Sequence, residues 1–280
     1  MTLLAATQLE LYKIFSRPRT YIAFAVIVVL VAAIQFGIHA EGQTMLDAAT
    51  QNLHDTFDFS GNLLNGYFTS YMILNMLWVH VPFLVALVTG DLLSGEAASG
   101  TLRLLLTRSI GRTEWVIAKF IAAVIYSILL VLLLGALSLV LGKLLFGFGD
   151  LMVIRDTINI LPEHDVLWRF FWAFGYGLLA MLVVAALSFF FSSLSDNSIG
   201  PIVGTMGVVI AFTVFTTLDV SIFRIMKPFL FTSYMGEWKS FFDFEPDYGK
   251  IIRSASVLAA HVVGLFLLTL LWFRRKDILT

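Results

Sequence analysis

The stretch FIAAVIYSILLVLLLGALSLVLG, residues 120–142, contains no Asp, Glu, Lys or Arg. A helix needs about 20 apolar residues to cross the roughly 30 Å hydrocarbon core of a bilayer, so this run predicts a transmembrane helix. Five further uncharged windows are long enough for the same role. They are residues 20–40, 68–90 (the later part of 59–90), 170–195, 197–218 and 254–273. The sequence therefore predicts an all-α membrane protein with six transmembrane helices.

The composition of the whole chain agrees with this prediction. Of its 280 residues, 59% are hydrophobic and 13% are charged, whereas soluble domains carry about 25% charged residues. The mean hydropathy is +0.90. The net charge of -1 excludes the basic surface that a nucleic-acid-binding protein needs. Because cysteine is absent, disulfides and thiolate metal sites are excluded as well.

The distribution of charge between the windows predicts which side the termini face. If both termini are inside, the inner segments hold ten Lys or Arg and six acids. The outer segments then hold eight bases and thirteen acids. Basic residues that flank transmembrane helices stay on the cytoplasmic side of the membrane. Both termini are therefore predicted to be cytoplasmic.

The first nineteen residues have the pattern of an amphipathic helix that lies on the membrane surface. At 100° per residue one arc is mainly apolar, and Glu10 is assigned to the polar remainder of the wheel. The arc contains Leu3, Leu4, Thr7, Leu11, Ile14 and Phe15. Pro18 is expected to end this helix before the first span. The alternative is an ordinary basic flank that happens to be helical.

The segment 91–119, DLLSGEAASGTLRLLLTRSIGRTEWVIAK, is the one substantial inner loop. We expect a short apolar helix over residues 102–106, rimmed by Arg103, Arg108 and Arg112. Such a loop is either a charged connector or a docking element for a soluble partner. Glu96 is expected to pair with Arg103, with Arg112, or with a basic residue of that partner.

This loop resembles the loop between spans two and three of the ABC-2 type permeases, the membrane subunits of ATP-binding-cassette exporters. The matching positions are Gly95, Glu96, Gly100, Thr101, Leu102, Arg112 and Lys119. The N-terminal LELYKIFSRPRTY is similar to the family's interfacial helix, and the C-terminal FRRKDIL is similar to its basic end. The connector 143–169 is longer than in many relatives, which leaves the subfamily and the substrate open.

The resemblance implies a single transmembrane domain over residues 1–280, with an interfacial helix (1–19), a coupling loop (91–119) and an outer segment (219–253). It implies an exporting permease in the cytoplasmic (inner) membrane of a bacterium or archaeon. Because the spans carry few charges, an amphipathic, lipid-like or peptide or drug substrate is favoured over a small ion. The expected partners are an ABC ATPase subunit, which binds ATP and Mg²⁺, a second permease copy or paralogue, and membrane lipid. The expected coupling residues are Gly95, Glu96, Gly100, Thr101, Leu102 and Arg103.

The chain itself has no pattern for nucleotide or metal chemistry. The nearest match to a P-loop, at residues 142–144, lacks the first glycine and the hydroxyl residue. There is no H-E-x-x-H motif, so we expect no enzymatic activity, cofactor or metal in this chain. Asn75 and His80, beside the helix-bending Pro82, are the candidates for lining a polar pathway. The alternatives are an ion-gradient-driven secondary transporter or channel and, third, a membrane-embedded enzyme.

The outer segment 219–253, called the aromatic segment below, is unusually rich in aromatic residues. These are Phe223, Phe229, Phe231, Tyr234, Trp238, Phe241, Phe242, Phe244 and Tyr248. A solvated loop would not carry so many aromatic rings, so we expect this segment to be interfacial or re-entrant. It is interpreted as an aromatic belt that also seals the exit of the pathway.

Overall fold

The computed structural model describes residues 2–50, 64–101, 111–155, 158–218 and 220–276. Its helices, in chain order, are α1 (Leu3–Phe15), α2 (Pro18–Thr50), α3 (Gly66–Leu77), α4 (His80–Thr89), α5 (Ser94–Ala98), α6 (Arg112–Phe146), α7 (Glu163–Leu194), α8 (Ile199–Thr217), α9 (Ser221–Met226), α10 (Thr232–Met235) and α11 (Tyr248–Arg275). Two 3₁₀ helices, Lys227–Phe229 and Gly236–Phe242, flank α10, and two strands, β1 (Leu151–Ile154) and β2 (Ile158–Leu161), lie between α6 and α7.

Within these residues, five helices are long and apolar enough to cross a membrane: α2, α6, α7, α8 and α11. The bent pair α3–α4 brings the number to six if the two helices count as one broken span. Each predicted window falls on one of these helices or on that pair. The prediction of a mainly α-helical, multi-pass membrane protein is therefore confirmed.

The break between α3 and α4 follows from Pro82. The two helices meet at an angle of 58° across Trp78 and Val79. Proline has no backbone N–H, and its ring collides with the carbonyl group four residues earlier. For Pro82 that carbonyl belongs to Trp78, so the regular helix has to stop there. The predicted bend is confirmed.

The helix α7 lies at the centre of the bundle and contacts α4, α6, α8 and α11. Hydrogen bonds between side chains and backbone carbonyls join neighbouring helices inside the apolar core. The Tyr126 hydroxyl of α6 donates to Leu84 O of α4 at 3.1 Å. On the same helix, Ser138 O accepts from Gln35 Nε2 of α2 and from Ser70 Oγ of α3, both at 2.9 Å. Such bonds fix helix positions where apolar packing alone discriminates poorly.

The long connector after α6 forms an antiparallel hairpin, in which Leu151 pairs with Leu161 and Ile154 with Ile158. Its first three residues, 151–153, are buried, and β1 contacts α3. An all-α fold was predicted, so this hairpin corrects the fold class locally. The end of the bundle that carries it is called the hairpin end, and the opposite end, with α1 and α5, is called the α1 end.

The aromatic segment packs onto the hairpin end through Arg169 of α7. The guanidinium of Arg169 donates to Phe241 O at 2.8 Å and to Asp243 O at 2.6 Å, and Asp165 holds it at 2.7 Å. The rings of Trp238 and Phe242 are buried, whereas Phe244 is exposed. Part of the segment therefore covers the bundle and part faces outward, as an interfacial segment would.

Candidate functional site

The buried face of α1 carries a carboxylate. Ala6, Thr7, Glu10 and Ile14 are its buried residues, and α1 packs against α6. Residues four apart share a helix face, so Glu10 lies between Ala6 and Ile14. The assignment of Glu10 to the polar side of the wheel is therefore wrong.

Glu10 belongs to a buried cluster of four charges, called the ion cluster below, which also contains Lys13, Glu96 and Lys119. The ammonium group of Lys119 lies 2.6 Å from Glu10 Oε2 and 2.8 Å from Glu96 Oε1. The ammonium group of Lys13 lies 2.7 Å from Glu10 Oε1 and 2.8 Å from Glu96 Oε1. Glu10, Glu96 and Lys119 are at most 3% exposed. The cluster joins α1, α5 and α6 through charge-assisted hydrogen bonds.

Asp91 forms a second set of ion pairs beside the ion cluster. Its carboxylate pairs with Arg17 and, at 2.8 Å, with Arg19. Asp91 is only 1% exposed. Together the two sets place three carboxylates against four cations in one small region. Because each buried carboxylate lies next to cations, the negative charges are compensated within the protein.

The start of the loop after α4 is also fixed to α7. Ser192 Oγ accepts hydrogen bonds from the backbone N–H groups of Leu93 at 3.0 Å and Ser94 at 2.9 Å. Gly95 makes room nearby for the carboxylate of Asp91, because a Cβ atom on it would come within 2.5 Å of Asp91 Oδ1. Together with the pairs of Glu96, these hydrogen bonds attach the segment from Leu93 to Glu96 to α1, α6 and α7.

The loop turns sharply after α5. Gly100 has φ +69°, a left-handed conformation that glycine adopts without strain. The backbone N–H of Thr101 returns to Glu96 O at 3.1 Å and closes the turn. Two of the predicted coupling residues, Leu102 and Arg103, and the expected helix 102–106 lie outside the described residues.

Within the described residues, Glu96 pairs with Lys13 and Lys119 and not with Arg112, while Arg103, the other partner expected from the same loop, lies outside the described residues. The Oε1 atom of Glu96 is held by Lys13 and Lys119, whereas Arg112 donates to Lys276 O at 3.3 Å. The other oxygen, Oε2, is buried and has no hydrogen-bond partner in the described part of the chain. Glu96 therefore positions the loop from within. Its predicted role in coupling stays a prediction.

The side chains of Asn75 and His80 each contact the backbone carbonyl four residues earlier. The Asn75 side chain donates to Tyr71 O at 2.9 Å within its own helix. His80 is exposed, and its Nδ1 lies 3.2 Å from Met76 O. Their proposed lining of a pathway stays a prediction, one that would require a second chain or lipid to cover His80.

The ion cluster shifts the pKa values of the two α1 residues in opposite directions. Burial raises the pKa of the Glu10 carboxyl, but the charges and hydrogen bonds of Lys119 and Lys13 outweigh burial and hold it below its ordinary value of 4.5. Burial lowers the pKa of the Lys13 ammonium group, but hydrogen bonds and charges of Glu10 and Glu96 raise it above its ordinary value of 10.5. Both residues are therefore held in their charged forms.

These shifts predict how stability depends on pH. The lowered pKa of Glu10 stabilises the fold above pH 4.5, and this contribution is lost as the pH falls through the folded-state pKa. The raised pKa of Lys13 stabilises the fold below pH 10.5, and this contribution is lost as the pH rises through its folded-state pKa. We expect Glu10→Gln to be less stable than wild type at pH 7. The difference should shrink as pH falls below about 4.

The measurement is the midpoint of equilibrium unfolding in detergent micelles between about pH 3 and pH 8. Glu114→Gln removes an exposed carboxylate near the same end and is the matched control, with little expected effect. A stability difference between Glu10→Gln and wild type that stays constant across this range would contradict the assignment.

Chemically, the site is built to hold elements together. Its charged side chains are carboxylates paired with cations, and the hydroxyl of Thr20, which lines the same space, donates a hydrogen bond to Ile14 O. Sequence reasoning singled out Glu96 and Lys119 but missed Glu10, Lys13 and the Asp91 pairs. The signal for Glu10 was present, since its spacing from Ala6 and Ile14 placed it on the packed face.

The fold and the site define a multi-pass, mainly α-helical membrane protein with a buried ion cluster at one end of the bundle. The chain belongs to the family described as "Protein of unknown function (DUF2705)", which matches residues 26–279. The match includes Asp91, Glu96 and Lys119 and begins after α1. No curated protein matches the sequence.

Proposed function

We propose that this chain is the membrane-spanning subunit of an ABC-2 type exporter. A separate ATPase subunit would bind ATP and Mg²⁺, and the chain would move an amphipathic or lipid-like substrate outward. In this proposal α3 and α4 together form one of six spans, and both termini lie in the cytoplasm of a bacterium or archaeon. A second copy or a paralogue would complete the pathway.

The observation that carries the proposal is the attachment of the loop after α4. Residues Leu93 to Glu96 are held by Ser192 of α7, Lys13 of α1 and Lys119 of α6. A force applied to this loop would therefore act on three elements of the bundle at once. A tightly packed bundle responds to such a displacement by switching between discrete arrangements.

Charge supports the same placement of the ATPase. The α1 end carries exposed or half-buried basic residues beside the ion cluster, among them Arg17 and Arg19, whose side chains are 35% and 34% exposed. Basic residues near the ends of spans favour the cytoplasmic side, which is where ATP is available. The proposed docking surface is therefore the loop 95–103 together with this rim.

Copurification tests the partnership. The chain is expressed with and without the ATPase encoded beside it and is captured by a tag on the permease. We expect the ATPase to copurify and to hydrolyse ATP in the complex. ATP hydrolysis by the chain alone, or the absence of any neighbouring ATPase gene, would overturn the proposal.

Glu96→Gln tests the coupling. The substitution keeps the shape of the side chain and removes the charge shared by Lys13 and Lys119, while Glu10 still pairs with both cations. Because Glu96 holds the loop after α4 to α1 and α6, we expect the substitution to loosen this attachment and to lower transport per ATP hydrolysed. The variant should still insert into the membrane.

Asp196→Asn is the matched control for Glu96→Gln. Asp196 lies at the same end and pairs with Lys276 at 3.0 Å, but its side chain is 77% exposed. Exposed pairs contribute about 0–1 kcal/mol, so near-normal transport is expected. Wild-type transport together with wild-type capture of the ATPase by Glu96→Gln would refute the role of Glu96.

A further inference from the structure

Two guanidinium groups converge on one buried carboxylate where α1 meets α2. Arg17 lies between the two helices and Arg19 lies in the first turn of α2, and both pair with Asp91. Asp91 is 1% exposed, so its carboxylate is fixed in the protein and holds both cations beside each other. The side chains of an ordinary basic flank move freely in solvent, whereas this pair of arginines is positioned before any ligand binds.

The charges around this pair of arginines do not cancel. The ion cluster contributes two carboxylates and two ammonium groups. Asp91 and its two arginines add one carboxylate and two cations, and all seven side chains line one space. Four positive charges therefore face three negative charges. An anion bound at this partly buried place would compensate the excess with less screening than in bulk water.

The two arginines also have hydrogen-bond donors to offer to such an anion. A guanidinium group carries several N–H donors in a planar fork, which matches the oxygens of a phosphate group. Within the described residues, Arg17 and Arg19 each contact an acceptor, Asp91, through Nη1 alone. Their side chains are 35% and 34% exposed, so both are accessible to a ligand outside the bundle.

An exposed apolar stripe of α2 continues from Arg19. Ile22 follows Arg19 by three residues and lies on the same helix face. Val29 and Phe36 continue that face at intervals of seven residues, and the three apolar side chains are 55%, 63% and 58% exposed. The part of α2 that is long and apolar enough to span a membrane begins at Pro18. Arg19 therefore lies at the depth of the lipid headgroups, and the stripe lies at the depth of the hydrocarbon chains.

We propose that Arg17 and Arg19 bind the phosphate group of an anionic phospholipid, with a hydrocarbon chain of this lipid along the stripe of Ile22, Val29 and Phe36. A free phosphate ion offers the same oxygens but no hydrocarbon, so the stripe favours the lipid. The rim of the proposed ATPase docking surface includes both arginines, and in this proposal the loop 95–103 remains for the ATPase. The lipid binding itself does not rest on the proposed function.

Native mass spectrometry of the full chain in detergent, without the ATPase, tests the binding. The probes are phosphatidylglycerol and phosphatidylcholine with identical acyl chains, which share the phosphate group and differ in net charge. We expect the chain to bind phosphatidylglycerol with at least about fivefold higher affinity, since one basic residue near a membrane attracts anionic lipid by about that factor. Millimolar inorganic phosphate should leave this preference unchanged.

Variants of the two arginines separate this site from a general attraction of lipid to basic residues. Arg19→Gln should reduce the preference to less than about twofold, while Asp91 keeps its pair with Arg17. Arg17→Gln, in which Asp91 keeps Arg19, should have a similar effect. Arg19→Lys keeps the charge but not the planar fork, so an intermediate preference is expected. Arg275→Gln, which removes an exposed cation of α11 at the same end, is the matched control and should keep the wild-type preference.

Equal affinity for the two lipids in the wild type would overturn the proposal, as would an equal loss of preference in Arg275→Gln. Displacement of phosphatidylglycerol by inorganic phosphate would assign the site to a free anion and overturn it as well. If Arg17→Gln and Arg19→Gln keep the preference, the proposal fails, and loss of ATPase capture in the same variants would assign the arginines to the ATPase instead. Because the ATPase is absent from the binding measurement, failure of the lipid site leaves the proposed function standing, and the reverse holds as well.

Discussion

Lys119→Met is expected to have the largest effect on stability of any single change in the ion cluster. The substitution removes the fully buried cation that joins Glu10 and Glu96, so that the two carboxylates share Lys13 alone, whose side chain is 28% exposed. Breaking a buried ion pair by removing one partner costs about 3–5 kcal/mol, because an uncompensated charge stays buried. Equilibrium unfolding in detergent micelles, compared with the wild type, measures the loss of unfolding free energy.

A control variant separates the effect of breaking the buried ion pairs from a general effect of removing a cation. Arg112→Met removes an exposed cation of the same helix and should change stability by less than about 1 kcal/mol. In the double variant Lys119→Met with Glu10→Gln, one of the two carboxylates that share Lys13 is removed, and part of the lost stability should return. Equal losses in Lys119→Met and Arg112→Met would show that the ion cluster contributes no more than an exposed contact.

Gly66→Ala is expected to be the most damaging small substitution at the hairpin end. A Cβ atom on Gly66 would lie 2.5 Å from the carbonyl carbon and 2.6 Å from the carbonyl oxygen of Gly142, and 2.8 Å from Gly147 O. These are backbone atoms that no rotamer change can move, so α3 and α6 would have to separate. The hydrogen bond from Gly66 N to Gly147 O, 2.7 Å long, would be lost as well. Overpacking of this kind costs about 1–3 kcal/mol.

Gly175→Ala provides the comparison for Gly66→Ala, because a Cβ atom on Gly175 meets no atom within 4 Å. It should be neutral or stabilising by up to about 1 kcal/mol, since alanine favours the helix. Gly142→Ala tests the same contact from the other side, with its Cβ 2.7 Å from Gly66 O. Thermal unfolding that ranks Gly66→Ala with Gly175→Ala would contradict the close approach of α3 and α6.

The spans could be predicted from the sequence because each is a long local run without charge, and membrane insertion depends on that local property. The bend at Pro82 was equally local, since it depends on one residue and the carbonyl four residues before it. The hairpin 151–161 was not predicted. Its strands have four residues each, and short strands are specified by pairing and packing rather than by local pattern.

Only part of the candidate site could be predicted from the sequence. The spacing of α1 indicated a helix, and the loop 95–101 stood out by its glycines and Glu96. The partnership of Lys119 with Glu10 joins residues 109 positions apart, so it depends on how α1 docks against α6. Because that docking cannot be inferred from the sequence alone, the expected partners of Glu96 within the chain were two nearer bases, Arg103 and Arg112.

In the proposed function, ATP hydrolysed by a separate subunit drives this chain to export an amphiphile. Proteoliposomes that contain the chain, with or without the neighbouring ATPase, are loaded with a fluorescent single-chain amphiphile whose flux is followed under ATP and under an imposed proton or sodium gradient. If the chain is such an exporter subunit, we expect flux only when ATP, Mg²⁺ and both proteins are present. Gradient-driven flux through the chain alone in ATP-free vesicles would contradict it and identify a secondary transporter or channel.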